Sequence, residues 1–284
     1  MEIVKTIKEV RQQVKQWKKE GLSIGLVPTM GYLHEGHKSL IDKAVTENDR
    51  VVVSVFVNPI QFGPNEDFKT YPRNMDNDKK LCESSGASLI FNPEPSEMYF
   101  ENKSTNVDVG GLTEVLCGAK RPGHFSGVCI VVSKLFNIVS PGRAYFGEKD
   151  AQQLAVIKRM VRDLNFDIKV IGCPIIREKD GLAKSSRNTN LSQEERQAAL
   201  VLEKSLKQAE KLLENGVKDT LLVKKLIEEQ LNKEPLAKID YVEIVDSESL
   251  KPVKEINKTV LIAIAVFIGK IRLIDNFIFV VEVK

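Results

Sequence analysis

Apolar positions recur at helical spacing through the first twenty residues. Ile3, Ile7, Val10, Val14 and Trp17 share one face and most turns carry charge, which predicts an amphipathic helix. Ser23–Val27 reads as a short buried strand, broken by Pro28 and Gly31. From about His34 the helical period returns, with Leu40, Ile41, Ala44 and Val45 on the apolar face of a helix over His37–Glu47. Arg50–Val57 is a nearly unbroken β-branched run, the composition of a strand buried on both faces of a parallel sheet. Strand, helix and strand in this order form a βαβ unit.

The alternation continues. Asp76–Ser84 is expected as a helix, Ser88–Phe91 as a strand and Phe125–Val139 as a mostly apolar helix stopped by Ser140-Pro141-Gly142. Ala144–Phe146 reads as a strand, Asp150–Leu164 as a helix and Phe166–Ile171 as a strand. Such a sequence predicts an α/β fold: a Rossmann-like, doubly wound parallel sheet with ligand at the carboxyl ends of its strands. The polar motifs fall just there, after Val27, Val57, Phe146 and Ile176.

After about Asn190 the pattern changes. Ser192–Asn215 and Thr220–Asn232 read as helices rich in Lys, Glu and Leu. Ile239–Val245, Thr259–Phe267 and Asn276–Val283 read as strands, with turns near Gly269-Lys270 and Asp275-Asn276. A smaller C-terminal α+β domain is expected. The boundary is set near residue 185, giving a domain over 1–184 and a second over 185–284.

Composition narrows the class. A formal net charge of +3 over 284 residues gives no concentrated basic stripe for nucleic acid. The four cysteines, Cys82, Cys117, Cys129 and Cys173, show neither a C-x-x-C pair nor a zinc-like spacing and read as buried free thiols. The first twenty residues lack the apolar block of a signal peptide, and the longest apolar stretch, Val260–Ile268, is too short to span a bilayer. A cytoplasmic protein is expected.

Four polar stretches can carry chemistry. The first, His34-Glu35-Gly36-His37, sits where a strand turns into a helix, a point that gathers backbone N–H groups and suits phosphate. Its histidines are three apart, so they share a helix face but miss the H-E-x-x-H spacing of a metalloprotease. No G-x-G-x-x-G dinucleotide fingerprint follows the first strand. H-x-G-H at such a turn is the signature of nucleotidyl-transferring α/β enzymes, where imidazole donors stabilise charge as an α-phosphate is attacked; two surface histidines in a turn are the plain alternative. The second, Lys184-Ser185-Ser186-Arg187-Asn188, supplies cations and hydroxyls for a triphosphate, or forms a solvated linker. The third, Gly147-Glu148-Lys149-Asp150, opens a helix, with Lys149 for phosphate and Asp150 as a cap or ribose ligand. In the fourth, Asn58-Pro59-Ile60-Gln61-Phe62 with Gln152-Gln153 offers amides for hydroxyl and carboxylate groups, while Asp76 and Asp78 are candidate Mg²⁺ ligands or ordinary surface acids.

Taken with Tyr71-Pro72-Arg73 and Arg121-Pro122-Gly123-His124-Phe125, these stretches occur in the order found in the pantothenate synthetase (pantoate–β-alanine ligase) family, which the chain resembles from Met1 to about Phe279. The resemblance implies ligation of (R)-pantoate and β-alanine with ATP and Mg²⁺, through a pantoyl adenylate, releasing pyrophosphate and AMP. It further implies that Met30, Gly31, Tyr32, Leu33, His34, Glu35, Gly36 and His37 line the ATP site, with His37 as proton donor and His34 as phosphate stabiliser. Gly147, Glu148, Lys149, Asp150, Ile176, Lys184, Ser185, Ser186 and Arg187 would complete that site, Lys149 and Arg187 acting in catalysis. Gln61 and Gln153 would hold pantoate, Asp78 would bind the metal, and the protein would form a homodimer through its N-terminal domain, with no nucleic-acid or membrane partner. Two departures stand out: Lys184 occupies a position that is usually Met, and Ser126 one that is often charged. Another small-molecule nucleotidyltransferase of this architecture, or a non-catalytic nucleotide-binding regulator, remains the competing reading.

Overall fold

The computed structural model describes residues 1–64 and 66–281. The chain forms two compact units. One comprises Met1–Thr113, Arg121–Glu148 and Gln153–Pro174; the other comprises Glu114–Lys120, Lys149–Gln152 and the chain from Ile175 onward. The main division thus falls between Pro174 and Ile175, where the sequence pattern suggested a boundary near 185.

The first unit is built on a six-stranded parallel sheet. Its strands are β1 (Glu2–Val4), β2 (Ile24–Thr29), β3 (Arg50–Val55), β4 (Leu89–Phe91), β5 (Arg143–Gly147) and β6 (Lys169–Cys173), in the order β1-β4-β3-β2-β5-β6. From β2 the chain winds outward through β3 and β4, then returns to add β5 and β6 on the other side. The switch point between β2 and β5 is the place where such sheets open a crevice for ligand. Val51, Val52, Val53 and Val55 are all buried, as a strand covered on both faces requires.

Helices α1 (Ile7–Lys19), α2 (Glu35–Glu47), α3 (Met75–Ser84), α4 (His124–Val139) and α5 (Ala151–Asp163) alternate with these strands. The expected first helix starts late because Glu2–Val4 pairs with β4 instead, Ile3 opposite Ile90. Thr6 then caps α1 reciprocally with Glu9. Ile3 and Ile7 are four apart, so strand and helix merge into one apparent period. The last strand also starts later than expected. Phe166 closes the end of α5: its N–H donates to Val161 O at 3.0 Å past a left-handed Asn165, and its ring packs edge-on to Phe136.

In the second unit α6 (Gln193–Ala198), α7 (Leu200–Glu214) and α8 (Thr220–Leu231) precede an antiparallel sheet of β7 (Ala237–Asp246), β8 (Val260–Ile268) and β9 (Ile271–Phe279), in the order β7-β8-β9. Leu202, Leu206, Ile227, Ile262 and Ile264 belong to its core. The single helix expected over Ser192–Asn215 is divided at Ala199, which stays right-handed and so leaves no break in the apolar period. β9 begins directly after the Gly269-Lys270 turn rather than at Asn276, and residues 282 and 283 of the expected strand lie outside the described residues. Asp275 is not a turn residue. It is buried within β9, its carboxylate gripped by Arg177 Nη1 and Nη2 at 2.7 and 3.0 Å.

Candidate active site

The turn that leaves β2 is held by side chains at nearly every N–H. Gly31 donates to Thr29 Oγ1 at 3.2 Å, Tyr32 to Asp78 Oδ2 at 2.9 Å and Leu33 to Asp78 Oδ1 at 2.6 Å. His34 N–H donates to His37 Nδ1 at 3.3 Å, and Gly36 N–H donates back to His34 Nδ1 at 3.1 Å. His34 is the N-cap of α2, so the two imidazoles form the reciprocal cap that Ser and Glu make elsewhere at the same three-residue spacing. The N–H groups of residues 31 to 34 and of Gly36 are thus engaged within the protein. The cap also sets the tautomers: an Nδ1 that accepts a hydrogen bond leaves the proton of the neutral ring on Nε2. The rings stand 4.1 Å apart between centroids, tilted by 39°.

Gln61 is the centre of a second network in the same unit. It ends a 3₁₀ turn, Pro59–Gln61, that follows β3. Asn58 Nδ2 donates to Gln61 Oε1 and to Gly127 O, both at 3.0 Å, and Tyr99 O–H donates to Asn58 Oδ1 at 2.8 Å. Gln61 Nε2 meets the Met30 sulfur at 3.2 Å, which ties this amide to the β2 turn. Arg121 is bidentate on Glu66, at 2.6 Å to each oxygen, and its Nη1 lies 2.9 Å from His124 Nε2. Because guanidinium only donates, that His124 nitrogen accepts, and its Nδ1–H is the donor to Gln61 O at 2.8 Å. Burial opposes the charge on Glu66, but the Arg121 hydrogen bonds and charge outweigh it and hold the carboxyl below its ordinary value.

A cavity of about 350 Å³ opens at the carboxyl ends of β2, β3 and β4, with Met30, Gly31, Arg73, Asn74 and Asp78 on its wall. Asp78 is only 1% exposed, and burial raises its carboxyl above the usual value while the Leu33 and Tyr32 N–H groups pull the other way. Asp76 is exposed. Among the described residues no group of three or more His, Cys, Asp or Glu side chains stands together to hold a metal. Both oxygens of Asp78 accept backbone N–H groups, so any Mg²⁺ here would have to be held mainly by phosphate oxygens and water.

The remaining expected residues divide between the units. In the first, Gly147 ends β5, the Glu148 side chain lies over Gly172, and Gln153 is half-buried on α5. Glu35, also in the first, is exposed. In the second, Asp150 is exposed and Lys149 accepts Asn276 Nδ2–H on its carbonyl at 2.8 Å. Gln152 is buried, donating to Val115 O at 2.7 Å and accepting Gly118 N–H at 3.3 Å, which gives it a structural task. The Ile176 carbonyl accepts Lys184 N–H at 2.9 Å across a tight hairpin, and Lys184 Nζ pairs with Glu178 at 3.3 Å. Ser185 caps the 3₁₀ turn that contains Ser186 and Arg187, accepting Arg187 N–H at 3.3 Å. The supports of Gln61, namely Tyr99, Arg121, His124 and Glu66, were not singled out as site residues from sequence. Arg121 and His124 did stand in a conspicuous run, and Asn58 in the Asn-Pro-x-Gln spacing.

A doubly wound parallel sheet with an imidazole cap at its switch point defines the class: an α/β fold of the nucleotidyl-transferring type. The family model for pantoate-beta-alanine ligase matches residues 2–278. Pantothenate synthetase from Clostridium acetobutylicum is 66% identical over 98% of this chain and 99% of its own, and that from Enterococcus faecalis is also 66% identical with the same coverage. Among solved structures, pantothenate synthetase from Thermus thermophilus superposes with a TM-score of 0.93 at 45% identity, covering 98% of this chain and 99% of that one. Pantoate-beta-alanine ligase from Francisella tularensis, complexed with beta-gamma ATP and beta-alanine, gives 0.78 at 36% identity over 98% and 97%. The chain belongs to the pantoate–β-alanine ligase family.

Proposed function

We propose that the chain performs the reaction of its family, the ATP-dependent ligation of (R)-pantoate and β-alanine to pantothenate, with the His34–His37 pair at the adenylation step. The pantoate carboxylate oxygen bonds to the α-phosphorus of ATP, the α–β bridging bond breaks and pyrophosphate leaves. The β-alanine amine then attacks the acyl carbon of pantoyl adenylate; the acyl–phosphate bond breaks, AMP leaves, and the amine proton passes to solvent. No covalent enzyme intermediate is required.

The observation that supports placing the pair at phosphate is the reciprocal cap. It keeps both Nδ1 atoms engaged as acceptors and both protons on Nε2, so the pair can donate to phosphate oxygens as charge builds during displacement. The family resemblance, rather than the cap, assigns His37 as proton donor and His34 as phosphate stabiliser. Gln61, fixed by Asn58 and joined to Met30, is assigned to pantoate together with Gln153. Lys149 and the Lys184–Arg187 segment of the second unit are assigned to nucleotide by their charge and hydroxyl content. Mg²⁺ is proposed as the companion of the ATP phosphates, with no protein ligand assigned. Four free thiols, all buried, suit a reducing cytoplasm. A homodimer through the N-terminal domain is supported by the family resemblance alone and is tested by sedimentation at working concentration. The role of the pair is tested by His37→Ala, which should lower kcat by about 10²-fold or more, as for other lost transition-state donors. An unchanged kcat would make this imidazole a bystander.

A further inference from the structure

We propose that Asp78 is a positioning residue that holds the β2–α2 turn and, through it, the imidazole pair, rather than a ligand for metal. The proposal rests on the assignment of His34 and His37 to ATP given above.

The turn has a conformational cost that something must offset. Gly31 has φ of +82° and Tyr32 of +53°, two successive left-handed residues. Glycine adopts this region freely, whereas a bulky side chain such as tyrosine does so only when its surroundings enforce it. The enforcing group is Asp78 in the first turn of α3. One planar carboxylate accepts the N–H of the strained residue with one oxygen and the N–H of Leu33 with the other. Two donors in series on one bidentate acceptor define the direction in which the chain leaves Leu33, and the next residue is the histidine that caps α2.

Packing leaves little room for any other arrangement. A Cβ on Gly31 would stand 3.0 Å from Asp78 Oδ2 and 2.9 Å from Val55 Cγ1, so turn, carboxylate and β3 are in direct contact. From the other side, Thr29 Oγ1 accepts Gly31 N–H and donates to Ser54 O at 2.7 Å. The four successive N–H groups of residues 31 to 34 therefore end on Thr29, Asp78, Asp78 and His37. The only charged acceptor among them is Asp78, and charge-assisted bonds to a buried carboxylate are the strong members of such a series. A shift of the turn displaces the His34 N–H from His37 Nδ1 and Gly36 N–H from His34 Nδ1 together, since both bonds begin at the first residues of α2. An asparagine at 78 keeps the shape but turns an NH₂ group toward one backbone N–H, so one of the two bonds is replaced by a donor facing a donor.

The test is Asp78→Asn, read in two ways. The chain has only three histidines, so the ring nitrogens can be resolved in ¹⁵N NMR spectra without nucleotide. In the unsubstituted protein His34 and His37 should show the Nε2–H tautomer, and in Asp78→Asn they should become a mixture. In the exchange of pyrophosphate into ATP, kcat should fall about tenfold to a hundredfold, as for displaced catalytic groups, while the Mg²⁺ concentration for half-maximal rate stays unchanged. Unaltered ring signals with a tenfold or larger rise in the Mg²⁺ requirement would overturn the proposal in favour of a metal ligand. Unaltered ring signals with unaltered kcat would reduce Asp78 to packing. If the variant does not fold, hydrogen exchange of the unsubstituted chain decides: Tyr32 and Leu33 amides should be protected about 10²-fold or more over an open turn, and rapid exchange would overturn the proposal. The tautomer measurement needs no ATP. Full activity in His37→Ala would sink the assignment of the pair to ATP and leave the positioning result standing.

Discussion

Asn58 fixes the Gln61 amide. Its Nδ2 lies 3.0 Å from Gln61 Oε1 and 3.0 Å from the Gly127 carbonyl, and its own oxygen is held by the Tyr99 hydroxyl. With Asn58 only 1% exposed, no water replaces these bonds at low cost. Asn58→Ala should therefore lose about 1–2 kcal/mol in urea unfolding. The freed Gln61 amide should raise the KM for pantoate about tenfold, the worth of one neutral hydrogen bond, with the KM for ATP unchanged. An unchanged pantoate KM would remove Gln61 from that substrate's site.

Gly127 brings helix and turn together. A Cβ there would lie 2.6 Å from Ile60 O and from Gln61 Cα, both backbone atoms that cannot swing away. Glycine to alanine within a helix normally gains up to about 1 kcal/mol. Overpacking against backbone should outweigh that gain, so Gly127→Ala is expected to lose about 1–3 kcal/mol and to displace Gln61. A variant with a raised Tm would contradict the contact.

The Glu66–Arg121 pair makes part of the stability pH-dependent. The folded pKa of Glu66 lies below its ordinary 4.5, so its contribution is fully present above that value and is lost as pH falls through the folded pKa. Glu66→Gln should cost about 1–2 kcal/mol at pH 7, discounting for partial exposure, and the difference from the unsubstituted protein should shrink progressively below pH 4.5. Unfolding curves of the two proteins between pH 3 and 7 test this, and a pH-independent difference would assign the loss to packing.

The alternation of β2, α2, β3 and their successors was legible because each strand is an apolar run and each helix an amphipathic one. What escaped was local or long-range. Glu2–Val4 is too short to carry its own period, and Asp275 reads as a turn residue until Arg177 is seen to neutralise it inside β9. The proximity of His34 and His37 was legible from their spacing, but their use as a mutual cap depends on backbone direction that spacing does not encode. Asp78 is buried rather than a surface acid, and its bonds to Tyr32 and Leu33 could not be read from sequence because those partners lie more than forty residues earlier. Arg121, His124 and Glu66 support Gln61 from two other segments, a relationship that exists only once α4 packs on the 3₁₀ turn.

The chemistry proposed for this chain is adenylation of pantoate at the site of His34 and His37. Exchange of labelled pyrophosphate into ATP tests it most directly. The rate should depend on pantoate, need no β-alanine, and fall about 10²-fold or more in His37→Ala. Exchange without pantoate, or none in its presence, would contradict the claim.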